Sequence, residues 1–398
     1  MGLSRLPTLP RNIWVMTATS FLTDISSEMI FNVLPLFLSN VLGVSTSAIG
    51  LIEGLAETTA SLLKGFSGWL SDKLQQRKWI TVTGYTLSAI SKPFLLPASG
   101  WVSVLGVRAS DRVGKGLRTA PRDALIADSI DENRRGAAFG LHRAGDTAGA
   151  MTGLIIALLI VMAAQSQAVT LDRQTFRWLV LVSIVPAFLG VIVLAVGARE
   201  VKPEIQDRDS PIQPGFRDLN PRFYQFLGIV VIFTLGNSAD GFLVLRAQER
   251  GLSVAGILLM LIIFNLIYTV LSSPAGALSD RVGRDKLLIG GWLVYGGIYL
   301  GFALSRTVGQ IQVLYALYGI YYAMTEGTAK ALVADLVPSE QRGTAYGLYN
   351  AAVGLAALPA SLMAGILWQQ FSPGTPFLVG AGLALAALCL FILWYRHE

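Results

Sequence analysis

Cysteine and histidine are almost missing: Cys389, His142 and His397 are the only residues of these types in 398. One thiol leaves no intrachain disulfide, and two isolated imidazoles leave no Cys/His cluster for a metal. There is no Gly-x-x-x-x-Gly-Lys-(Ser/Thr) loop, so nucleotide hydrolysis by this polypeptide is not expected. No nucleophile set or metal set points to an enzyme, and no cofactor is expected. Charge is scarce too. Asp, Glu, Lys and Arg make up 14% of the chain, against roughly 25% in soluble domains. With a mean hydropathy of +0.57, the chain belongs in a bilayer.

What is present is apolar sequence in runs of about 20 residues, the length that crosses a ~30 Å hydrocarbon core as a helix. Twelve such spans are expected, near 13–39, 47–70, 79–98, 100–128, 136–163, 176–198, 222–248, 253–277, 287–305, 309–336, 343–370 and 375–396. They are too long, and too rich in Leu, Ala and Gly, for outer-membrane strands of ~10 alternating residues. The segment MGLSRLPTLPRN lacks the apolar core and cleavage site of a signal peptide, so span 1 is expected to serve as the insertion signal.

The loop bases are one-sided. Lys73, Arg77, Lys78, Arg134, Arg135, Arg199, Lys202, Arg208, Arg217, Arg281, Arg284, Lys286 and Arg342 fall on one side, against Arg173, Arg250 and Arg306 on the other. The positive-inside bias makes the first side cytoplasmic, with both termini there, in a plasma (inner) membrane. The net charge of +6 then reflects topology, and no nucleic-acid partner is expected.

A polar, proline-containing stretch, REVKPEIQDRDSPIQPGFRDLNPR from Arg199, reads as a linker. The expected division is a six-helix bundle over 1–198, a cytoplasmic linker over 199–221 and a second six-helix bundle over 222–398. The halves repeat. GWLSDKLQQRK from Gly68 returns as GALSDRVGRDK from Gly276, 208 residues on, and ADSIDENRRGAAFGLHRAG from Ala127 returns as ADLVPSEQRGTAYGLYNAA from Ala334, 207 residues on. An even number of spans per repeat makes the repeats parallel, as in transporters.

These residues resemble the major facilitator superfamily, and the resemblance covers nearly the whole chain. Gly68, Leu70, Asp72, Lys73 and Arg77 follow that family's Gly-x-Leu-x-Asp-(Arg/Lys)-x-Gly-Arg-(Arg/Lys) loop, with Gln75 and Gln76 in place of Gly and Arg. Gly276, Leu278, Asp280, Arg281, Gly283 and Arg284 follow it more closely. Arg108 and Gly114 match the family's span-4 pattern, Asp111 and Arg112 replacing its usual Gln and Gly. Gly145, Gly149 and Gly153 are similar to the helix-packing glycines of its drug and metabolite antiporters. The resemblance implies an all-α fold of twelve transmembrane helices in two parallel six-helix repeats. Asp72 and Asp280 sit just past helix ends beside bases, where charges can latch helices together. Lys73, Arg77, Asp128, Arg135, Arg281 and Arg284 complete the expected gating set.

Span 4 carries the chain's densest charge. On an ideal helix Arg108, Asp111, Arg112, Lys115, Arg118, Arg122 and Asp123 fall within an arc of about 140°. A charge facing lipid at mid-bilayer costs at least roughly 2.5–3.5 kcal/mol, so this face must meet a cavity or partner charges. Candidate partners share helix faces elsewhere in the same half: Asp24 with Glu28, Glu53 with Glu57 and Lys64, and Arg143 with Asp146. For Lys115, Arg118, Arg122, Arg143 and Asp146 a scaffold of salt bridges is the competing reading.

Asp24 and Glu28, with Glu53 and Glu57 as alternates, are the expected proton carriers. Burial favours the neutral acid and a nearby guanidinium favours the anion, so a changing Arg contact can move a proton. In the second half Asp240, Glu326 and Lys330, with Tyr318 and Tyr322, are expected to join Arg108, Asp111 and Arg112 around a cavity suited to an amphiphilic or anionic organic molecule. The expected function is alternating-access secondary transport of a small molecule by a monomer, coupled to protons and directed outward. Uptake or facilitated diffusion is the rival, and a membrane enzyme or sensor the remote alternative.

Overall fold

The structure is a computed structural model that describes residues 9–131, 134–165, 167–201, 219–338 and 341–396. Every regular element among these residues is helical. Twelve rods cross the molecule: α1 (Arg11–Phe31, prolonged by a short turn and a π-turn to Val41), α2 (Thr46–Leu74), α3 (Arg77–Ser91), α4 (Trp101–Asp128), α5 (Arg135–Gln165) and α6 (Arg173–Gly197), then α7 (Pro221–Gly236, continued after a break as Gly241–Glu249), α8 (Val254–Val282), α9 (Arg284–Leu304), α10 (Val308–Asp335), α11 (Arg342–Gln370) and α12 (Thr375–Arg396). The expected spans stand within a few residues of these bounds, the largest discrepancies being seven residues at the end of α3, where a 3-10 turn follows, and five at the end of α8. Most of the expected linker, 202–218, lies outside the described residues.

By length and hydropathy alone, eight of these rods are apolar enough to cross a membrane. The other four are α2, α3, α4 and α10. Helix α3 has only 15 residues, whereas α2, α4 and α10 carry the charges described below. Burial in the bundle, not lipid contact, accommodates those charges.

Chain chemistry sets the ends. Ser45, Asp172 and Ser253 cap α2, α6 and α8 by accepting the backbone N–H of Ala48, Thr175 and Gly256, and Thr307 with Gln310 forms a capping box on α10. At the α2 to α3 turn Gln75 adopts the left-handed conformation with φ 51°. Its repeat counterpart is Gly283, at φ 106°, a conformation natural to glycine.

Packing repeats with the sequence. In the first half α1 lies on α5 and α6, α4 on α2 and α3, and α3 on α6. Six helices later α7 lies on α11 and α12, α10 on α8 and α9, and α9 on α12. The halves meet through two equivalent seams, α2 against α11 and α5 against α8. Gly145, Gly149 and Gly153 bring α5 against α1, where an added Cβ would strike Thr17 and the backbones of Phe21 and Ile25.

One face of the molecule holds Asn12, Arg77, Ser129 and Arg199 together: Asn12 Nδ2 donates to Ser129 Oγ and to the Arg199 carbonyl, each at 2.9 Å. This face carries the ends of both halves. On the opposite face the halves are joined. Thr46 Oγ1 donates to the Gly365 carbonyl at 3.0 Å, Gln248 Nε2 to the Val169 carbonyl at 2.7 Å and Val254 N to the Ala168 carbonyl at 3.0 Å. Ser47 also hydrogen-bonds Gln369 there.

Candidate functional site

Small residues aim α4. Gly114 abuts Gly84 and Ser88 of α3, and Gly116 abuts Ala60 and Leu63 of α2, so both neighbours approach the uncharged side closely. The ionic face is thereby turned inward. Arg108, Asp111, Arg112, Lys115 and Arg118 line a central cavity of about 530 Å³. Arg122 and Asp123 do not line it: Arg122 binds Asp123 at 2.8 Å and donates to Ser20 Oγ at 3.3 Å.

On this wall the charges are paired unevenly. Arg108 Nη2 donates to Glu53 Oε2 at 2.7 Å, and its guanidinium lies 4.3 Å from the Phe31 ring centroid. Arg108 is 5% exposed, yet its Nε and Nη1 have no hydrogen-bond partner among the described residues. Arg112 sits 3.9 Å from both Glu57 and Asp111, beyond hydrogen-bond reach. Arg118 donates to Ser88 Oγ at 3.1 Å and covers the Tyr85 ring at 4.3 Å.

Asp24 and Glu28 line the same cavity from α1. Neither has a cationic partner within 4.0 Å among the described residues; Glu28 accepts from Asn32 Nδ2 at 2.7 Å. The two carboxylates on α1 are thus unpaired, whereas Glu53 is held by Arg108.

The facing wall is built where α7 breaks. Asn237, Ser238, Ala239 and Asp240 line the cavity there, and Asp240 accepts from Tyr318 at 2.9 Å and Tyr322 at 3.4 Å. Phe264 packs against Tyr315, Tyr318 and Tyr322 at 5.4, 5.7 and 5.4 Å between centroids. Tyr322 lines the cavity, while Tyr318 backs it through Asp240.

Two residues expected in the cavity are elsewhere. Glu326 and Lys330, paired at 3.3 Å, line a separate recess of about 280 Å³ with Arg143 and Tyr268. The reason is depth: they lie one and two turns past Tyr322 along α10, toward the termini-bearing face. There Arg143 Nη2 donates to Tyr268 Oη at 3.1 Å, and Tyr268 donates to Glu326, joining α5 to α8 and α10 across the seam.

Two kinds of site residue have no sequence signal in charge spacing: Phe31 is an aromatic at a helix break, and Asn237 and Ser238 are neutral residues at another.

The turns on the termini-bearing face are held by a repeated set. Arg77 pairs with Asp128 and Arg284 with Asp335, both partners displaced by 207 residues. Arg135 Nε donates to the Ala127 carbonyl and Arg342 Nε to the Ala334 carbonyl, each at 3.3 Å. Asp280 lies 3.7 Å from Arg284 and is largely exposed, Lys73 lies over Trp69 at 5.0 Å, and Arg281 is exposed. The side chain of Asp72 lies outside the described residues.

A twelve-helix bundle closed at one face around a charged central cavity, with apolar helices outside, defines a membrane transporter. The sequence profile of the Major Facilitator Superfamily matches residues 16–245 and again 225–398, and the chain belongs to that family. An uncharacterised MFS-type transporter of Methanocaldococcus jannaschii is 39% identical, over 96% of this chain and 95% of that protein. The multi-drug resistance efflux pump PmrA of Streptococcus pneumoniae is 22% identical, over 94% and 93%. The crystal structure of the nucleoside transporter NupG shares the fold at a TM-score of 0.77 and 13% identity, covering 97% of this chain and all of that one.

Proposed function

We propose that this protein exports a small organic molecule, amphiphilic or anionic, by proton-coupled alternating access, as a monomer in the plasma (inner) membrane with both termini in the cytoplasm. The observation that carries the coupling is the contrast on one cavity wall: Asp24 and Glu28 without cationic partners, Glu53 bound to Arg108. An unpaired carboxylate beside a guanidinium can gain or lose a proton as that guanidinium moves toward or away from it. Arg108, with two unpartnered nitrogens, is equipped to take an anionic group. Phe264, Tyr315 and Tyr322 offer the opposite wall for an apolar or aromatic body.

The outward direction is supported by the resemblance of Gly145, Gly149 and Gly153 to the glycines of the family's antiporters and by likeness to one efflux pump. The loop bases support the orientation. The repeated packing of the helices on either side supports the division at 199–221. Cells overproducing the protein, challenged with a panel of toxic organic compounds, should grow better against a subset, and a protonophore should remove the protection. Enhanced accumulation of labelled metabolites without any protection would replace export by uptake.

A further inference from the structure

Lys92 is the least expected charge in the molecule. It is 0% exposed and begins the 3-10 turn Lys92–Leu95 that ends α3. That turn directs its Nζ at α1, where it donates to Ser26 Oγ at 2.6 Å and Ser27 Oγ at 3.1 Å, with the Phe31 ring 5.9 Å away. No carboxylate lies within the 4.0 Å of an ion pair among the described residues. The charged groups facing it are Asp24 and Glu28 from α1 and Asp111 and Arg118 from α4.

This cradle differs from a salt bridge in one chemical respect. A carboxylate partner strongly favours the ammonium, by charge, and cannot donate to the lone pair of the neutral amine. A serine hydroxyl both accepts and donates, so it accepts from the ammonium and donates to the neutral amine in the same place. Both protonation states are therefore hydrogen-bonded. Ser26 is fully buried, whereas Ser27 also lines the central cavity, which connects Lys92 to the cavity through one hydroxyl.

We propose that Lys92 is a further proton-binding site of the transport cycle, whose charge sets the position of α1 and so of the cavity residues Asp24, Glu28 and Phe31. The charged lysine holds α1 with two charge-assisted hydrogen bonds. The neutral amine makes weaker ones and leaves α1 free to move. The proposal rests on the proton-coupled reading above and extends it from carboxylates to an amine.

The test uses the full chain in lipid nanodiscs with Cys389→Ser and nitroxide labels at Ala137→Cys and Val282→Cys, near the ends of α5 and α8 on the termini-bearing face. Double electron–electron resonance then follows the opening of that seam with pH. In the Asp24→Asn/Glu28→Gln background a pH-dependent change in the distance distribution should remain. Lys92→Met and Lys92→Arg should each abolish it, with Lys92→Arg fixed at every pH in the distribution of the charged state. If the Lys92→Met protein does not purify as a folded species, Ser26→Ala/Ser27→Ala keeps the lysine. Loss of the two acceptors should then move the transition down by about one pH unit or more. A transition that survives both Lys92 substitutions, or no transition in the Asp24→Asn/Glu28→Gln parent, overturns the proposal. Failure of the carboxylate reading looks different: Lys92→Arg with Asp24 and Glu28 intact would then show no pH dependence.

Discussion

Arg108 donates one hydrogen bond, at 2.7 Å, to Glu53 and leaves two buried nitrogens without a partner among the described residues. An internal scaffold would be expected to satisfy the whole guanidinium, since buried unpaired donors are costly. The half-used fork supports the proposal that Arg108 binds the solute while Glu53 positions it.

Arg108→Lys tests that assignment. The lysine keeps the charge and can keep the contact to Glu53, but it loses the planar fork. One lost charge-assisted hydrogen bond to solute, worth about 1.5–3 kcal/mol, should lower affinity and transport about 10- to 100-fold. The melting temperature should change little. Equal transport in both proteins would reduce Arg108 to scaffold.

Asp24→Asn and Glu28→Gln separate coupling from binding. A neutral amide keeps hydrogen-bonding capacity but cannot carry a proton. Transport driven by a pH gradient into proteoliposomes should therefore vanish in the double substitution, while solute exchange without a gradient persists. Gradient-driven accumulation at the unsubstituted rate would remove α1 as the proton site.

The repeated ion pairs should differ in strength despite their symmetry. Arg77 and Asp128 are 11% and 19% exposed, Arg284 and Asp335 29% and 50%. Solvent screens the second pair, whose loss should cost at most about 1 kcal/mol. Removing one partner of the better shielded pair leaves a charge with less water to replace it. Thermal unfolding in detergent should show Arg77→Ala melting lower than Arg284→Ala; the reverse order would contradict the burial argument.

Glycine spacing gives a packing prediction. Gly149 on α5 sits against the backbone of Phe21, and Gly153 against that of Ile25. Gly153→Val should separate α5 from α1 and shift the purified protein toward aggregate in size-exclusion chromatography. Gly140→Ala, on the same helix with no neighbour within 4 Å of an added Cβ, should elute as the unsubstituted chain does.

The sequence made the twelve rods legible because each needs a length of apolar residues, and it made the repeat legible because two motifs return near one offset. It also showed that the span-4 charges share a face. Contacts between helices were less visible. Asp335, the partner of Arg284, sits 51 residues away; it stands in the repeated segment from Ala334, but nothing in that segment names Arg284 as its partner. Lys92 is a single charge inside an apolar run, where periodicity has nothing to compare it with. Glu326 and Lys330 stand on the expected helix but line a separate recess rather than the central cavity, since helical phase fixes direction and not position along the membrane normal.

Alternation of the two halves about the central cavity is the claim on which the other roles depend. Ser47 on α2 and Gln369 on α11 meet across the halves at the closed face. Ser47→Cys/Gln369→Cys, in a Cys389→Ser chain, can be joined by a bifunctional thiol reagent that a reductant cleaves. Transport of a compound identified by the growth panel should fall to background when the bridge forms and return when it is cleaved. Undiminished transport through fully bridged protein would contradict alternating access at this cavity.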